Sequence, residues 1–258
     1  MMAAGPAKIV LVSGKPSHSH GEHEFNAGTI LLEKCLRQNP GIVPVMVKGG
    51  WPEDESVFDG ARALVFYMDG GDEHPMIQGD RLKKIGALMQ KGVGLVCLHY
   101  AVEVPKDRGG AEFLEWIGGY YERPYSTNPV NDAAVTQTSP QHAISRGWNS
   151  FEARDEWYYR IRFRPDDPRL TPILTTMLPK DAPQREVVAW AVERADGGRG
   201  FGFTGAHYHT NWGNENFRKL VLNAIVWIAK GDVPPGGIQS KLDSDDLQEN
   251  LDPKGRKK

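Results

Sequence analysis

Seven of the eight histidines in this 258-residue chain lie in four short segments, three of which also carry carboxylates. The segments are 18–24, 69–74, 99–103 and 207–212, and only His142 lies elsewhere. Neutral imidazoles and a carboxylate together bind zinc or a similar divalent ion. The same groups also transfer protons near neutral pH without a metal. The sequence therefore predicts an active or binding site built from these segments, against the alternative that polar residues simply collect in loops.

Each segment follows an apolar run that is typical of a buried strand. The predicted strands are 8–13, 43–47, 63–68, 93–98, 187–192 and 199–204, and the predicted helices are 25–37, 80–91 and 214–230. Strands that alternate with helices imply right-handed crossovers and a parallel sheet covered on both faces. The predicted fold is therefore α/β, with a doubly wound, mostly parallel sheet. Because ligands bind at the carboxyl ends of such strands, the four segments are expected to meet there.

The domain organisation follows from the same patterns. Residues 8–230 are predicted to form a single α/β domain. Within it, residues 101–185 are less regular and are interpreted as an elaboration over one edge of the sheet. Residues 231–258 are rich in proline and glycine and then in charge, which predicts a surface tail.

Candidate residues can be assigned to three roles. For proton transfer they are His99, Glu156 and His207, with His209 as an alternative to His207. For a divalent ion they are His18, His23, His99 and His209. For substrate contact they are Asp155, Tyr158, Asp69, Tyr100, Glu103 and Trp212. Aromatic rings beside carboxylates suit a sugar, since rings pack on its C–H groups and acids accept its hydroxyl protons. For Glu156, a capped strand with core aromatics is an equally good explanation.

Cys97 comes just before a predicted strand-to-helix turn, where some enzymes place a nucleophile flanked by small residues. Its neighbours two positions away are Leu95 and His99, and neither is small. The sequence therefore predicts that Cys97 faces the core and that His99 emerges at the turn.

Composition excludes several classes of function. Lys and Arg number 31 against 33 Asp and Glu, which argues against a nucleic-acid-binding protein. No run approaches the roughly 20 apolar residues of a membrane helix, and two cysteines cannot form a disulfide scaffold. The turn at 14–17 lacks the glycine spacing for NAD, flavin or nucleotide phosphates. A soluble protein is expected, either cytoplasmic or exported after loss of a signal peptide. Trp51 and Trp116, if exposed, permit a homodimer.

Four motifs in order resemble those of ThuA-like proteins, a family named for trehalose utilisation. They are 23–28, 94–99, 155–158 and 216–227, and the resemblance spans 8–230. It implies a fold similar to class I glutamine amidotransferases, without their nucleophile, and a context of disaccharide and keto-sugar catabolism. His23, Glu24, His99, Asp155 and Glu156 fall on family motif positions. The family has a Gly-His pair where this chain has 206–209, so both late histidines stay candidates.

Two hypotheses of different class follow. The first is an enzyme that acts on a sugar or keto-sugar by histidine and glutamate acid-base chemistry, with one divalent ion as an option. A ketone acidifies the neighbouring C–H group, so a base and an electrophile suffice for isomerisation or elimination. The second is a non-catalytic carbohydrate-binding or scaffold module, in which the same histidines only hydrogen-bond to the ligand.

Overall fold

A nine-stranded mixed sheet forms the centre of the chain in a computed structural model that describes residues 5–254. Its strands are β1 (Ala7–Ser13), β2 (Ile42–Val47), β3 (Ala63–Tyr67), β4 (Gly94–Leu98), β6 (Val130–Gln137), β7 (Phe151–Glu156), β9 (Leu170–Leu178), β10 (Gln184–Glu193) and β11 (Arg199–Phe203), in the order β2-β1-β3-β4-β11-β10-β9-β6-β7. Two short strands, β5 (Gly119–Tyr120) and β8 (Arg162–Phe163), pair separately. The helices are α1 (Phe25–Arg37), α2 (Arg81–Gln90), α3 (Ala111–Trp116) and α4 (Glu215–Ile228).

The first half of the sheet confirms the doubly wound α/β prediction. Strands β2, β1, β3, β4 and β11 all pair in parallel. β3 and β4 are buried along their whole length, as their unbroken apolar sequences indicate. The order reverses between β1 and β3, so this is the point of the sheet where ligands are expected to bind.

The second half of the sheet is antiparallel and was only partly predicted. β10 and β11 form the expected hairpin around 194–198. β9, β6 and β7 then extend the sheet further, with every pairing antiparallel. The segment 101–185 was expected only as an elaboration over one edge, and three of its strands in fact continue the central sheet. Their mixed polar and apolar residues reflect a half-exposed sheet surface, which gives a weaker pattern than a buried strand.

The two faces of the sheet bury separate cores. One core packs α1 and α4 against the sheet, and the other packs α2 and α3. Trp116 at the end of α3 is only 7% exposed and belongs to the second core, so the expectation that it is an exposed aromatic is wrong. Trp51 is half-buried against Phe58 and Phe66. Within residues 5–254, no helix is both long and apolar enough to cross a membrane.

Residues 231–254, called the C-terminal segment below, were expected to form a surface tail. They instead pack closely on the domain, with Val233 and Ile238 joining the first core at 1% and 2% exposure. Asn223 of α4 accepts the backbone N–H of Ile238 at 2.9 Å. The sequence did not predict this packing, because the segment is charged and has few apolar residues. Hydrogen bonds to its backbone hold much of it in place.

Candidate functional site

Three histidines and one glutamate meet at the carboxyl ends of the parallel strands. We call His23, His99, His207 and Glu156 the four-ligand cluster, because one side-chain atom from each lies within 4.8 Å of the others. The Nε2 atom of His23 is 3.0 Å from Nε2 of His99 and 2.9 Å from Nδ1 of His207. The Oε2 atom of Glu156 is 3.5 Å from the His99 nitrogen and 3.3 Å from that of His207.

His99 enters the cluster from the sharp turn after β4. Its backbone has a φ of 53°, a left-handed conformation that a non-glycine residue rarely adopts. The turn points the buried ring away from the strand, and its Nδ1–H donates to the carbonyl oxygen of Thr204 at 2.8 Å. This is the position predicted for His99. Strained backbone of this kind persists only where surrounding contacts hold it in place.

His23 and His207 are held side by side by their backbones. Glu22 and Tyr208 form an isolated antiparallel bridge, and the N–H of His23 donates to the carbonyl oxygen of His207 at 2.9 Å. His23 also has a positive φ, of 47°, and Ala206 before His207 has one of 91°. All three histidines of the cluster therefore lie at or beside a left-handed residue.

Asp155 fixes the loop that carries His207. Its side chain is fully buried, and its two oxygens accept the backbone N–H groups of Ala206 and His207 at 2.7 and 2.9 Å. They also accept the N–H of Glu156 and the amide of Asn211. With four donors around it, Asp155 places both His207 and the neighbouring Glu156.

Hydrogen bonds outside the cluster determine which ring nitrogens carry protons. A carbonyl oxygen only accepts, so Nδ1 of His99 holds the proton and Nε2 of the neutral ring is bare. In the same way, Nδ1–H of His23 donates to the Asp69 carboxylate at 3.0 Å, which leaves its Nε2 bare. His207 has a carboxylate oxygen near each ring nitrogen, Glu156 at 3.3 Å from Nδ1 and Glu22 at 3.9 Å from Nε2, so its tautomer is not fixed in this way. The lone pairs of His23 and His99 therefore point at each other across 3.0 Å.

Ionisation at the cluster follows from burial and from the neighbouring groups. Burial lowers the pKa of His23 strongly, and the adjacent rings of His99 and His18 lower it further. Burial acts to raise the pKa of Glu156, but its contacts with His207 and His99 outweigh burial and hold the pKa well below its usual range. At neutral pH the cluster therefore offers a neutral His23 and an ionised Glu156, the forms in which these side chains bind metals.

The sequence family is decided by comparison with a family model. The model described as ThuA, trehalose utilisation, matches residues 9–228. The chain belongs to the ThuA family. A comparison with curated proteins gives no significant match.

Solved structures share the fold of this ThuA-family chain at low sequence identity. A ThuA-like protein from Bacteroides uniformis has a TM-score of 0.66 and 15% identity, over 90% of this chain and 97% of that one. A ThuA-like protein from Parabacteroides merdae has a TM-score of 0.63 and 17% identity, over 93% and 94%. A glutamine amidotransferase from Thermotoga maritima has a TM-score of 0.52 and 10% identity, over 88% and 100%. Agd3, described as a carbohydrate deacetylase, has a TM-score of 0.55 and 13% identity, over 88% of this chain but only 33% of Agd3.

Aromatic and polar side chains surround the cluster in the ThuA-family chain. The ring of His18 lies 3.6 Å from that of His23, centroid to centroid, and Nδ1 of His18 is 3.9 Å from Asp69. The Tyr158 hydroxyl lies 3.5 Å from Nε2 of His99. Tyr100 is half-buried, with its ring 5.9 Å from His23. His18, Asp69, Tyr100 and Tyr158, candidates for metal or substrate contact, thus lie beside His23 or His99.

Glu103 forms a second, smaller polar group next to Tyr100. Its carboxylate is 2.6 Å from Nε of Arg123, and Arg123 also donates to the Tyr100 hydroxyl at 3.0 Å. Burial raises the pKa of Glu103 to about 7, although Arg123 opposes the shift. Because Arg123 is two-thirds exposed, this pair forms the outer rim of the site rather than its centre.

Two predicted substrate contacts are wrong. Trp212 is fully buried against Tyr67 and Phe217, so its ring cannot reach a ligand. Asp155 is equally buried and already binds four donors, so it supports the site without touching a substrate. Both lie next to site loops in the sequence, and the sequence pattern alone does not distinguish a supporting side chain from one that faces the ligand.

Two buried strand-end histidines do not join the cluster. His74 is fully buried, where its Nε2–H donates to the Ala101 carbonyl and its Nδ1 accepts the Met76 N–H. His209 was predicted as a metal ligand, but it is 2% exposed, and neither ring nitrogen has a hydrogen-bond partner among residues 5–254. The late histidine that meets His23 and His99 is therefore His207.

Several supporting residues gave no sequence signal. Thr204 contributes only a backbone carbonyl, and Asn128 donates to Oε1 of Glu156 at 3.0 Å from a loop far from any motif. Cys97, by contrast, behaves as predicted: it is fully buried, and burial raises its pKa far above the usual thiol range.

Proposed function

We propose that this protein is a metal-dependent enzyme that processes a sugar or keto-sugar. One divalent ion, zinc or similar, would be held by His23, His99, His207 and Glu156. This ligand set keeps His23 and His99 from the sequence-based metal candidates and replaces His18 and His209. Glu156 and Tyr158 would act on the substrate at the same place.

The convergence of three ring nitrogens, two of them bare, carries this proposal. Lone pairs on His23 and His99 face each other at 3.0 Å, with Nδ1 of His207 and a carboxylate beside them. Such an arrangement is repulsive unless a cation lies among the four atoms. One additional proton bridges only a single pair of nitrogens, whereas a metal ion satisfies all four ligand atoms at once.

The spacing of the ligand atoms fits a tetrahedral site. An ion about 2.0–2.1 Å from each of four ligands requires neighbouring ligand atoms roughly 3.3 Å apart. Nδ1 of His207 is also 3.3 Å from Nε2 of His99, so five of the six separations run from 2.9 to 3.5 Å, and the sixth is no more than 4.8 Å. The surroundings fit as well, because metal-bound histidines usually donate their other N–H to a carboxylate or carbonyl, as His23 does to Asp69 and His99 to Thr204.

Glu156 lies on the open side of the cluster. Its side chain is 19% exposed, compared with none for His23 and His99 and 7% for His207. A substrate therefore approaches past Glu156, and this carboxylate is the base nearest to it. Burial raises the pKa of Tyr158 well above its usual value, so its hydroxyl keeps its proton and donates to a substrate oxygen.

These groups suit chemistry at a sugar carbonyl. When bound, the ion would supply Lewis-acid polarisation of a carbonyl or hydroxyl oxygen. Because three imidazoles suffice to hold a catalytic ion, Glu156 would leave its place to the substrate oxygen and accept the acidified proton from the neighbouring carbon, and Tyr158 would hold the oxygen by hydrogen bonding. The family description, trehalose utilisation, supports a sugar as the substrate, and the fold likeness to a carbohydrate deacetylase is consistent with it.

A cavity of about 380 Å³ gives room for the rest of the substrate. It lies at the reversal between β1 and β3, and Asp69, the partner of His23, forms part of its wall. Lys15, Gln78 and Arg81 add polar side chains beside the half-buried Trp51. A cavity of this size and polarity suits the part of a sugar substrate that extends away from the cluster.

Metal analysis and turnover test the proposal together. Purified protein is expected to contain about one divalent ion per chain, and to convert 3-keto-glucosides in a reaction that stops with chelator and resumes when zinc is restored. A metal-free protein that binds sugars but never converts them would show that the chain is a binding module instead.

A further inference from the structure

The C-terminal segment runs alongside α1 toward the four-ligand cluster. At residues 239–241 it lies beside the end of α1, where the side-chain amides of Gln38 and Asn39 each both donate to and accept from backbone groups of the segment. Gln38 pairs with Lys241 and Asn39 with Gln239. Further along the segment, the carboxylates of Asp243 and Asp246 bind Lys34 of α1. Near the start of α1, the N–H of Asp252 donates to the Glu24 carboxylate at 2.8 Å. The segment thus arrives at the residue that follows His23.

Lys254 then reaches underneath the loop that carries His23. Its ammonium group donates to the carbonyl oxygens of Ser17 at 2.9 Å, of Glu22, and of His23 at 3.3 Å. It also lies 3.2 Å from the Glu24 carboxylate. We call residues 17–24 the His23 loop. One lysine therefore contacts the beginning, the end and the ligand residue of this loop.

The surroundings of Lys254 are those of a structural cation. Its side chain is 8% exposed and that of Glu24 is fully buried. A buried ammonium is costly unless oxygens replace its water, and here three carbonyls and a carboxylate do so. Exposed surface lysines gain little from their ion pairs, so burial separates Lys254 from Lys241, the other lysine of the C-terminal segment, which is exposed.

The backbone of the His23 loop needs such support. His18 and His23 both have positive φ values, of 60° and 47°. Left-handed backbone at a non-glycine residue is unfavourable and relaxes when its surroundings loosen. The carbonyl groups of Glu22 and His23 are two of the groups that set the conformation of His23, and Lys254 binds both.

We propose that Lys254 is a positioning residue for the metal ligand His23, acting through the loop backbone. It holds the loop so that Nε2 of His23 faces His99 and His207, and without it the ring leaves the geometry that an ion requires. This inference rests on the proposed metal site, but it also predicts that Lys254 holds the His23 loop in place when no metal is bound. Nothing in the sequence motifs points to this lysine.

The test compares Lys254→Met with Lys241→Met, a matched control at an exposed lysine of the same segment. Zinc affinity is measured by competition with a chromophoric chelator, and the coordination geometry by the visible absorption of the cobalt-substituted protein. Lys254→Met is expected to lose ten- to a hundredfold in zinc affinity, the usual effect of removing an outer partner of a metal ligand. It should also weaken the tetrahedral cobalt bands, while Lys241→Met matches the unchanged protein.

Hydrogen exchange of the metal-free protein supplies the second readout. The N–H of His23 is protected by its bond to His207, so exchange in the His23 loop should speed up in Lys254→Met but not in α2 or α4. Lys254→Arg keeps the positive charge and should retain most of the protection and zinc affinity. If Lys254→Met does not fold, the arginine variant still tests whether a cation at this position is enough to hold the loop.

The outcomes separate the two proposals. Wild-type protein that binds neither zinc nor cobalt overturns the metal site, and the exchange result alone then decides the role of Lys254. Unchanged exchange in the His23 loop, or unchanged zinc affinity in a protein that does bind zinc, overturns the positioning role.

Discussion

The carboxylate of Asp155 accepts the backbone N–H of His207 at 2.9 Å, and the two residues lie 52 positions apart in the sequence. This contact joins the end of β7 to the loop after β11. Since Glu156 directly follows Asp155, one buried carboxylate sets the distance between a histidine and the glutamate of the four-ligand cluster. The occurrence of Asp155 at a family motif position is thus explained by its role in positioning the backbone at Glu156 and His207, rather than by contact with substrate.

Replacing Asp155 with asparagine should destabilise the fold. The four groups around it are all donors, and an asparagine would turn its own NH₂ donor toward some of them. Leaving buried donors unpaired costs about 1–3 kcal/mol each, so we expect Asp155→Asn to lower the free energy of unfolding by about 2–4 kcal/mol. Urea denaturation followed by circular dichroism measures this.

Asp132→Asn is the control for that measurement. Asp132 lies on the neighbouring strand β6 and pairs with Arg154 in an exposed ion pair, with 71% of its side chain accessible. Exposed pairs contribute roughly 0–1 kcal/mol, so its urea midpoint should hardly move. Equal losses in the two variants would contradict the role assigned to Asp155.

His99→Ala should abolish most of the activity and lower the metal content. The substitution removes one of four ligand atoms and the ring that holds the left-handed turn after β4. Turnover of a 3-keto-glucoside is expected to fall by at least about a hundredfold, because loss of a ligand weakens the binding of the ion whose Lewis acidity the reaction needs. His20→Ala removes an exposed histidine of the His23 loop and should behave like the unchanged protein. Full activity in His99→Ala would exclude the proposed centre.

Cys97→Ser should leave the activity per folded molecule nearly intact. The thiol is fully buried in the core on the α2 face of the sheet, and burial keeps it protonated. A serine there costs some stability, because its hydroxyl needs a hydrogen-bond partner in an apolar setting. Initial rates normalised to folded protein test this, and a loss of several orders of magnitude would identify Cys97 as a nucleophile after all.

Stability should fall on acidification because of buried histidine. Burial lowers the pKa of His74 to about 4 from the value near 6.5 expected in the unfolded chain. Between these two values the unfolded chain binds a proton that the folded chain does not, so the free energy of unfolding falls as the pH falls through this window. The loss reaches about 3 kcal/mol for one such group. His209, with a pKa also lowered to about 4, adds to it in the same direction.

The variant His74→Gln isolates this contribution. The variant lacks one titrating group. Between pH 6.5 and 4, the number of protons taken up on unfolding should therefore fall by about one, and the plot of unfolding free energy against pH should be less steep, whatever the stability at pH 7. His20→Gln serves as the reference, because its ring is exposed in the folded chain. Parallel slopes for the two variants would show that His74 takes up its proton without unfolding.

Most of the parallel half of the fold was predictable from the sequence. The unbroken apolar runs of β1, β3 and β4 have few interpretations other than buried strands, and α1 spans the predicted residues without a shift. β6, β7 and β9 were not identified, because one side of each is partly exposed and the alternation is interrupted by polar residues. The packing of the C-terminal segment depends on side-chain amides such as Gln38, which carry no hydrophobic signal.

The sequence predicted where in the fold the site lies, but not which residues form it. Strand-end position correctly brought His23, His99 and His207 together. Strand-end position alone does not distinguish these three histidines from His74 and His209. Whether an imidazole faces a cavity or the core depends on the backbone conformation of one or two residues, here the left-handed turns at His23 and His99. Supporting groups such as the Thr204 carbonyl leave no trace in the amino-acid sequence.

The four-ligand cluster draws on both halves of the mixed sheet. The loops after β1, β4 and β11 supply the imidazoles, whereas Glu156 and Tyr158 come from the end of β7 in the antiparallel extension. Insertions or substitutions in the antiparallel extension can therefore change the carboxylate and the tyrosine, while the parallel half of the sheet keeps the three imidazoles in place.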